Sequence, residues 1–356
     1  DEIEYALPFH LISSPLLSKS IRHRLSRTFH FRHRRTSLDL SHQSQFSEKI
    51  APRVLITGAS GLIGANLKAY LETAGYIVFT LSRRSPASPR AFQWDLNTDV
   101  FPIEALEMVD AVIHLSGENI AGGYWTNKRK KQILESRVRG TQLLVEAIRK
   151  SSSRPKVLIS ASAIGFYGDR QGAILTEVDP PDGKNSFVSE VTRAWEHEAL
   201  KAEDAGVRTV LARFGIVLSP QGGALQKMLL PFQLGLGGPI GGGSQWMSWI
   251  GIDDALYALH TLLETPQAHG AYNLVAPEPV TNGEFTKILA SVLSRPALFP
   301  VPEVGLKLLM GQLAEELLLS SCRVSPARLT ELGYSFAMPS LEEYLRFALG
   351  RELSYK

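Results

Sequence analysis

Cysteine is nearly missing: Cys322 stands alone in 356 residues, so no internal disulfide can form and a reducing compartment is expected. Long apolar runs are missing too, none approaching the roughly 20 residues a bilayer span requires. Charge of one sign is scarce. The formal net charge is +3, and beyond residue 48 the chain carries 31 Lys+Arg against 30 Asp+Glu. A nearly neutral body gives no electrostatic footprint for nucleic acid, and no metal site is expected. What is present is a globular composition, 44% hydrophobic and 21% charged, over a length that suits one large or two modest domains.

Residues 1–48 read differently from the rest. They hold five of the nine histidines and six arginines among many serines. Leu17, Ile21, Leu25 and Phe29 recur every four residues, which predicts an apolar stripe if Pro15–His33 is helical. The basic, serine-rich character suits an organelle transit peptide, whereas Ile3-Glu4-Tyr5-Ala6-Leu7-Pro8 reads as a strand that such a peptide does not need. The chain opens on Asp1, as a processed or truncated product would. The segment resembles the closing strand and long C-terminal helix of a START/polyketide-cyclase-like helix-grip domain. A remnant of a fused domain and a targeting or linker sequence both stay open.

From Arg53 onward, short apolar runs alternate with helical patterns. Val54-Leu55-Ile56, Ile77–Leu81, Ala111–Leu115, Lys156–Ile159 and Thr209–Ala212 read as strands, with helices over Lys128–Lys150 and Phe187–Ala205. Repeated βαβ order with uninterrupted apolar strands predicts an α/β fold: a Rossmann-type doubly wound parallel sheet covered on both faces. After Pro220 the texture shifts to glycine-rich loops and shorter helices, read as a smaller C-terminal α/β lobe. The expected divisions are a segment 1–48, a cofactor domain 52–295 and a small domain 296–350.

Thr57-Gly58-Ala59-Ser60-Gly61-Leu62-Ile63-Gly64 follows a strand and opens a helix. Gly58 permits the tight turn, Gly61 lets backbone approach a pyrophosphate, and Gly64 lets the helix pack closely. The helix N-terminus, with Ser60, Leu62 and Ile63, offers N–H groups to the phosphates. No Gly-Lys-Ser/Thr follows, so this is not a triphosphate loop. The second strand ends in Leu81-Ser82-Arg83-Arg84, where an NAD site would usually carry an acid. Two arginines suit the 2′-phosphate of NADP, beside the alternative of a solvated basic loop. Asp95, after Phe92-Gln93-Trp94, falls where the adenine would sit.

These residues, with Leu115-Ser116-Gly117-Glu118-Asn119-Ile120, Ser160–Asp169, Arg213–Leu218 and Trp249–Asp254, resemble an extended short-chain dehydrogenase/reductase. The resemblance is to the NAD(P)-dependent epimerase subgroup once labelled cell-division-inhibitor-like, from about Arg53 to Leu349. Arg323-Val324-Ser325-Pro326 and Leu332-Gly333-Tyr334 resemble its C-terminal domain of unknown function. It implies that Leu115, Ser116, Gly117 and Glu118 line the cofactor, with Ser160, Ser162 and Arg213 at the nicotinamide end. It also exposes a departure. The Tyr-x-x-x-Lys pair of such enzymes is replaced by Phe187 and Val191, and the usual asparagine by Arg137. Ser162, Tyr167 and Glu118 are then the candidate catalytic groups, and Arg137 a substitute cation for the ribose.

The expected function is an NADP(H)-dependent oxidoreductase or epimerase-like enzyme acting on a small hydroxyl- or carbonyl-bearing substrate. The alternative is a silent NADP(H)-binding regulator. No nucleic-acid or membrane partner is expected, and a homodimer is left open. The expected location is cytoplasmic, or an organelle stroma or matrix if residues 1–48 are a targeting segment. The glycine-rich stretch Leu229–Trp249, with Trp246, Met247 and Trp249, reads either as a mobile lid or as a tight loop with buried tryptophans.

Overall fold

Strands form where aliphatic and β-branched runs meet no polar interruption. In the computed structural model, which describes residues 10–46, 52–83, 88–98, 100–183 and 186–351, seven of them build one sheet. They are β1 (Arg53–Thr57), β2 (Ile77–Ser82), β3 (Ala91–Gln93), β4 (Ala111–His114), β5 (Val157–Ala163), β6 (Arg208–Phe214) and β7 (Gly270–Leu274). The order is β3-β2-β1-β4-β5-β6-β7, and every pairing is parallel. The chain reverses direction across the sheet between β1 and β4. That switch point leaves a crevice at the strands' carboxyl ends, where open α/β sheets bind ligands.

Alternate residues on each strand feed two helical layers. Val54, Ile56, Ile113 and Ile159 pack with Leu67 and Leu71 of α2 (Leu62–Thr73) and with Leu256 and Leu259 of α5 (Ile252–Glu264). Leu55, Val112 and Leu158 face the other way, onto Leu143, Leu144 and Ile148 of α3 (Asn127–Lys150). Burying a side chain of this size contributes about 1.5–3 kcal/mol, so the two faces dominate the stability of this half. α4 (Phe187–Leu200) lies along α3, with Phe187 and Val191 against Ile133.

The small lobe is less separate than the sequence suggests. Its core joins Leu225 and Phe232 with Phe285 and Leu289 of α6 (Asn282–Leu293) and Leu341, Leu345 and Phe347 of α7 (Leu341–Ala348). The break expected at residue 295 therefore does not divide two cores. Helices this short cannot bury an apolar face alone, so those before and after the break share one. Trp249 is fully buried there and donates Nε1–H to the Glu278 carbonyl at 3.0 Å, while Trp246 lies beneath Arg323, 4.1 Å from its ring centroid. The tryptophans anchor the loop instead of forming a lid.

The N-terminal helix α1 runs over His10–Gln43, beyond both expected ends. The expected strand Ile3–Pro8 and the side chain of Leu17 fall outside the described residues. Docking uses a face different from the expected stripe. Arg27 donates Nη2–H to the Leu349 carbonyl at 2.9 Å, Phe31 meets Phe347, and Arg34 pairs with Glu343 at 2.7 Å. Further along, Arg35 reaches Asp253 at 3.2 Å, Asp39 accepts from Tyr257 at 2.6 Å, and His42 Nδ1 meets the Tyr70 hydroxyl at 2.6 Å. The helix thus straps the small lobe to α2 and α5.

Candidate functional site

The turn between β1 and α2 is shaped by absent side chains. Gly58 has φ +70°, and a Cβ there would stand 2.8 Å from the Leu115 carbonyl carbon, so only glycine lets the turn press against the end of β4. A Cβ on Gly64 would collide with the Gly58 carbonyl oxygen. Gly61 is the N-cap of α2, whose first-turn amides have no intrahelical acceptor. Below the turn, Thr57 Oγ1 accepts from the amides of Leu115 and Ser116, each at 3.2 Å. Its own hydrogen goes to His114 Nδ1 at 2.7 Å, which assigns the proton of that ring to Nε2, 3.1 Å from Thr141 Oγ1. His114 is fully buried, and burial pushes its pKa down to about 4, so it is neutral.

A cleft of about 420 Å³ opens above this turn. Gly58, Gly61, Leu62, Ile63, Gly64 and Leu115 form its outer part, and Ser162, Val188, Thr192 and Phe214 its inner part. Arg137 also lines it. That guanidinium lies under Gly117, donates Nη1–H to the Glu118 carbonyl at 2.9 Å, and sits 5.1 Å from the Trp195 ring centroid. Burial pushes its pKa down to about 10, which leaves it charged at neutral pH. Trp195 Nε1–H, also on the cleft wall, is buried without a partner among the described residues.

The helix that should carry Tyr and Lys is turned differently from expectation. Phe187 does not line the cleft; it packs edge-on against Trp125 at 5.0 Å and beside Ile133. Phe187 and Val191, four apart, were expected to share the face toward the nicotinamide; Val191 does line the cleft, but with Val188, Thr192 and Trp195 in place of Phe187. Ser186 caps the helix through the Ser189 amide at 3.3 Å, and Glu316 accepts from the amides of Phe187 and Val188 at 3.1 and 2.9 Å. A carboxylate from the small lobe thereby fixes the helix start, where the helix dipole favours negative charge.

Behind the inner cleft lies a buried polar network. Arg213 grips Glu196 with two bonds of 2.8 Å, and Ser162 Oγ donates to Glu196 Oε1 at 2.6 Å. Arg213 Nη1 reaches the Tyr167 hydroxyl at 2.9 Å, which donates to Asn273 Oδ1 at 2.7 Å. The guanidinium also covers the Phe166 ring at 3.6 Å. Ser162 lines the cleft. Tyr167 does not: it is 0% exposed with its hydroxyl fully engaged, and burial pushes its pKa up to about 12. Arg213 was expected to face the cleft; it does not line it, and its charge is spent on Glu196. Sequence reasoning missed Glu196; its signal is an acid on the buried side of α4, level with a strand-end arginine.

The remaining expected residues divide. Ser160 is fully buried in the middle of β5, its Oγ 3.4 Å from the Ala161 carbonyl, and does not line the cleft. Glu118 turns its carboxylate to Arg129 at 2.9 Å, on the rim. Ser60 is exposed at the turn. Ser82 closes β2, and Arg83 follows it, exposed; Arg84 lies outside the described residues. Asp95 follows β3 and accepts Thr98 Oγ1–H on its carbonyl at 2.8 Å. Phe214, Ile216, Val217, Gly223 and Ala224 complete the wall and were not singled out as site residues.

Comparison with known proteins agrees with this geometry. The profile described as the NAD dependent epimerase/dehydratase family matches residues 54–275, and a domain of unknown function, DUF1731, matches 301–348. An Arabidopsis thaliana epimerase family protein, SDR39U1 homolog, chloroplastic, is 38% identical over 301 residues, 82% of this chain and 85% of that one. The crystal structure of human epimerase family protein SDR39U1 with NADPH is 36% identical with a TM-score of 0.77, covering 83% of this chain and 99% of that one. A nucleoside-diphosphate sugar epimerase from Corynebacterium glutamicum is 35% identical with a TM-score of 0.76. That match covers 92% of this chain but only 65% of the other. Residues 53–356 alone cannot supply such a share, so the superposition takes in part of the N-terminal segment.

Proposed function

Because this chain belongs to the NAD-dependent epimerase/dehydratase family, we propose that it binds NADP(H) in the cleft and acts as an oxidoreductase or epimerase-like enzyme on a small hydroxyl- or carbonyl-bearing substrate. The observation that carries this reading is the glycine cradle, where a side chain at 58 would strike the end of β4 and one at 64 the turn itself, so that glycines alone let the turn and the start of α2 line the cleft. Gly58, Gly61 and those amides would hold the pyrophosphate, Arg83 the 2′-phosphate, and Arg137 the nicotinamide ribose. When bound, the nicotinamide supplies or accepts a hydride. The NADPH in the human relative's structure supports the choice of cofactor, and the description of the bacterial relative supports testing nucleotide sugars first.

A second reading, a regulator that binds NADP(H) without turnover, is favoured by one feature. Among the described residues lining the cleft, Arg137 is the one ionisable group. One experiment separates the two. Thermal shift with NADPH and NADH is followed by a cofactor-oxidation screen over carbonyls and nucleotide sugars. Stabilisation by NADPH with oxidation by one substrate class is the expected result; stabilisation without oxidation across the panel selects the regulator. No stabilisation by either nucleotide removes both.

For the N-terminal segment we propose the end of a fused helix-grip domain, supported by the long helix α1 and by the extended match to the longer bacterial chain. The chloroplastic relative supports the organelle alternative for location.

A further inference from the structure

Two hydroxyls line the inner end of the cleft, Ser162 on β5 and Thr192 on α4. Each has a single hydrogen to give, and each gives it away from the cleft. Ser162 donates to Glu196 Oε1 at 2.6 Å. That carboxylate is held on both oxygens by Arg213 at 2.8 Å and can only accept. Thr192 Oγ1 lies 2.9 Å from the Val188 carbonyl and 3.0 Å from that of Ser189, so its hydrogen stays on its own helix. Thr192 and Glu196 are one turn apart, with about 5–6 Å expected between their Cβ atoms. The two hydroxyls therefore form one patch, and toward the cleft it offers lone pairs alone.

We propose that this patch is an acceptor-only subsite that selects a hydrogen-bond donor, an amide N–H or an alcohol O–H, and disfavours a bare carbonyl. Glu196 is its positioning residue: by taking the Ser162 hydrogen it sets the polarity of a group it does not itself expose. The inference rests on the NADP(H) reading for what supplies the donor, either the carboxamide of the nicotinamide or a hydroxyl of the substrate. In both cases the group beside Ser162 is matched to an alcohol or amide, not to a ketone awaiting protonation.

The first arm compares the affinity of NADP⁺ with that of its 3-acetylpyridine analogue, in which a methyl replaces the amide nitrogen, by fluorescence titration. If the carboxamide is the donor, the protein favours NADP⁺ about tenfold, the scale of one unsatisfied hydrogen bond. Ser162→Ala and Thr192→Val each reduce that ratio toward one. Glu196→Ala brings it toward one, because the Ser162 hydrogen then has no carboxylate behind it and turns into the cleft, where the carbonyl of either nucleotide can accept it. A merely structural role for Glu196 would weaken both nucleotides alike. Where Glu196→Ala does not fold, the Ser162→Ala ratio decides.

The second arm measures stabilisation of the NADPH-loaded protein by cyclohexanol against cyclohexanone. If the donor comes from substrate, the nucleotide ratio is already one and the alcohol stabilises more, an advantage lost in Ser162→Ala. Equal responses in both arms, or a preference for the acceptor-only partner in either, overturn the proposal. Failure of both nucleotides to bind overturns the cofactor reading instead, and the alcohol–ketone comparison without nucleotide then decides the subsite alone.

Discussion

Arg83 and Arg137 are the cations assigned to the cofactor, and they stand in unlike settings. Arg83 is exposed beyond β2, so its worth depends on a phosphate arriving beside it. Replacing it with Asp is expected to weaken NADPH roughly tenfold to a hundredfold, the scale of a lost charge-assisted bond, while NADH is little changed. Parallel titrations of the two nucleotides check this, and equal losses would remove the 2′-phosphate assignment. Arg137 is buried in the cleft wall and also holds the Glu118 carbonyl. Arg137→Ala should weaken NADPH and NADH alike by about tenfold or more, since the ribose near the nicotinamide is common to both. A loss confined to NADPH would place Arg137 at the phosphate instead. The glycine turn was legible because strand, turn and helix coincide within eight residues. Glu196 was not, because its partners Ser162 and Arg213 are distant in sequence and meet only once β5 and β6 pair.

At the scale of the element, α4 shows how a sequence pattern can be right in type and wrong in direction. Phe187, Val188, Val191 and Trp195 are all apolar, so the string does not tell the face that packs on α3 from the face that lines an apolar cleft. Contacts with Trp125 and Ile133 settle it one residue away from the expected register. Phe187→Tyr should therefore yield no carbonyl reduction. It should also lower stability, by up to about 1–3 kcal/mol, as the added hydroxyl enters a site walled by Trp125, Ile133 and Val191, with the Lys130 ammonium over the ring as its one polar neighbour among these contacts. Urea melts and an NADPH-oxidation assay test both parts; activity from this change alone would return Phe187 to the cleft. α1 carries a similar lesson. The every-fourth apolar residues predicted the helix, but docking runs through Arg27, Phe31, Arg34, Arg35 and His42, a face too polar for an apolar-stripe reading to register.

Across the whole molecule, acid should act on two buried imidazoles at once. Burial pushes His114, under the glycine turn, down to about 4, and burial together with His260 pushes His42, at the end of α1, down to about 3. Both folded values lie below the ordinary 6.5, so below that pH the unfolded chain binds more protons. Their stabilisation is thus complete above pH 6.5 and declines as the pH falls toward 4 and then 3. Each histidine contributes a slope of up to about 1.4 kcal/mol per pH unit in that window. Denaturant melts of the parent protein and His42→Asn between pH 7 and 4.5 should converge as the pH drops. Curves that stay parallel would mean that His42 does not titrate in this way.

The strap has a mechanical consequence. At 1.5 Å per residue, the 34 residues of α1 make a rod about 50 Å long, and Arg27, near its middle, already docks on the end of α7. The half from Arg27 onward is clamped along α7, α5 and α2. Anything carried at the start of that rod would hold a fixed bearing to the cleft instead of wandering on a tether. A tilt of the rod would be felt at Tyr70, on the helix whose other end is the proposed phosphate site.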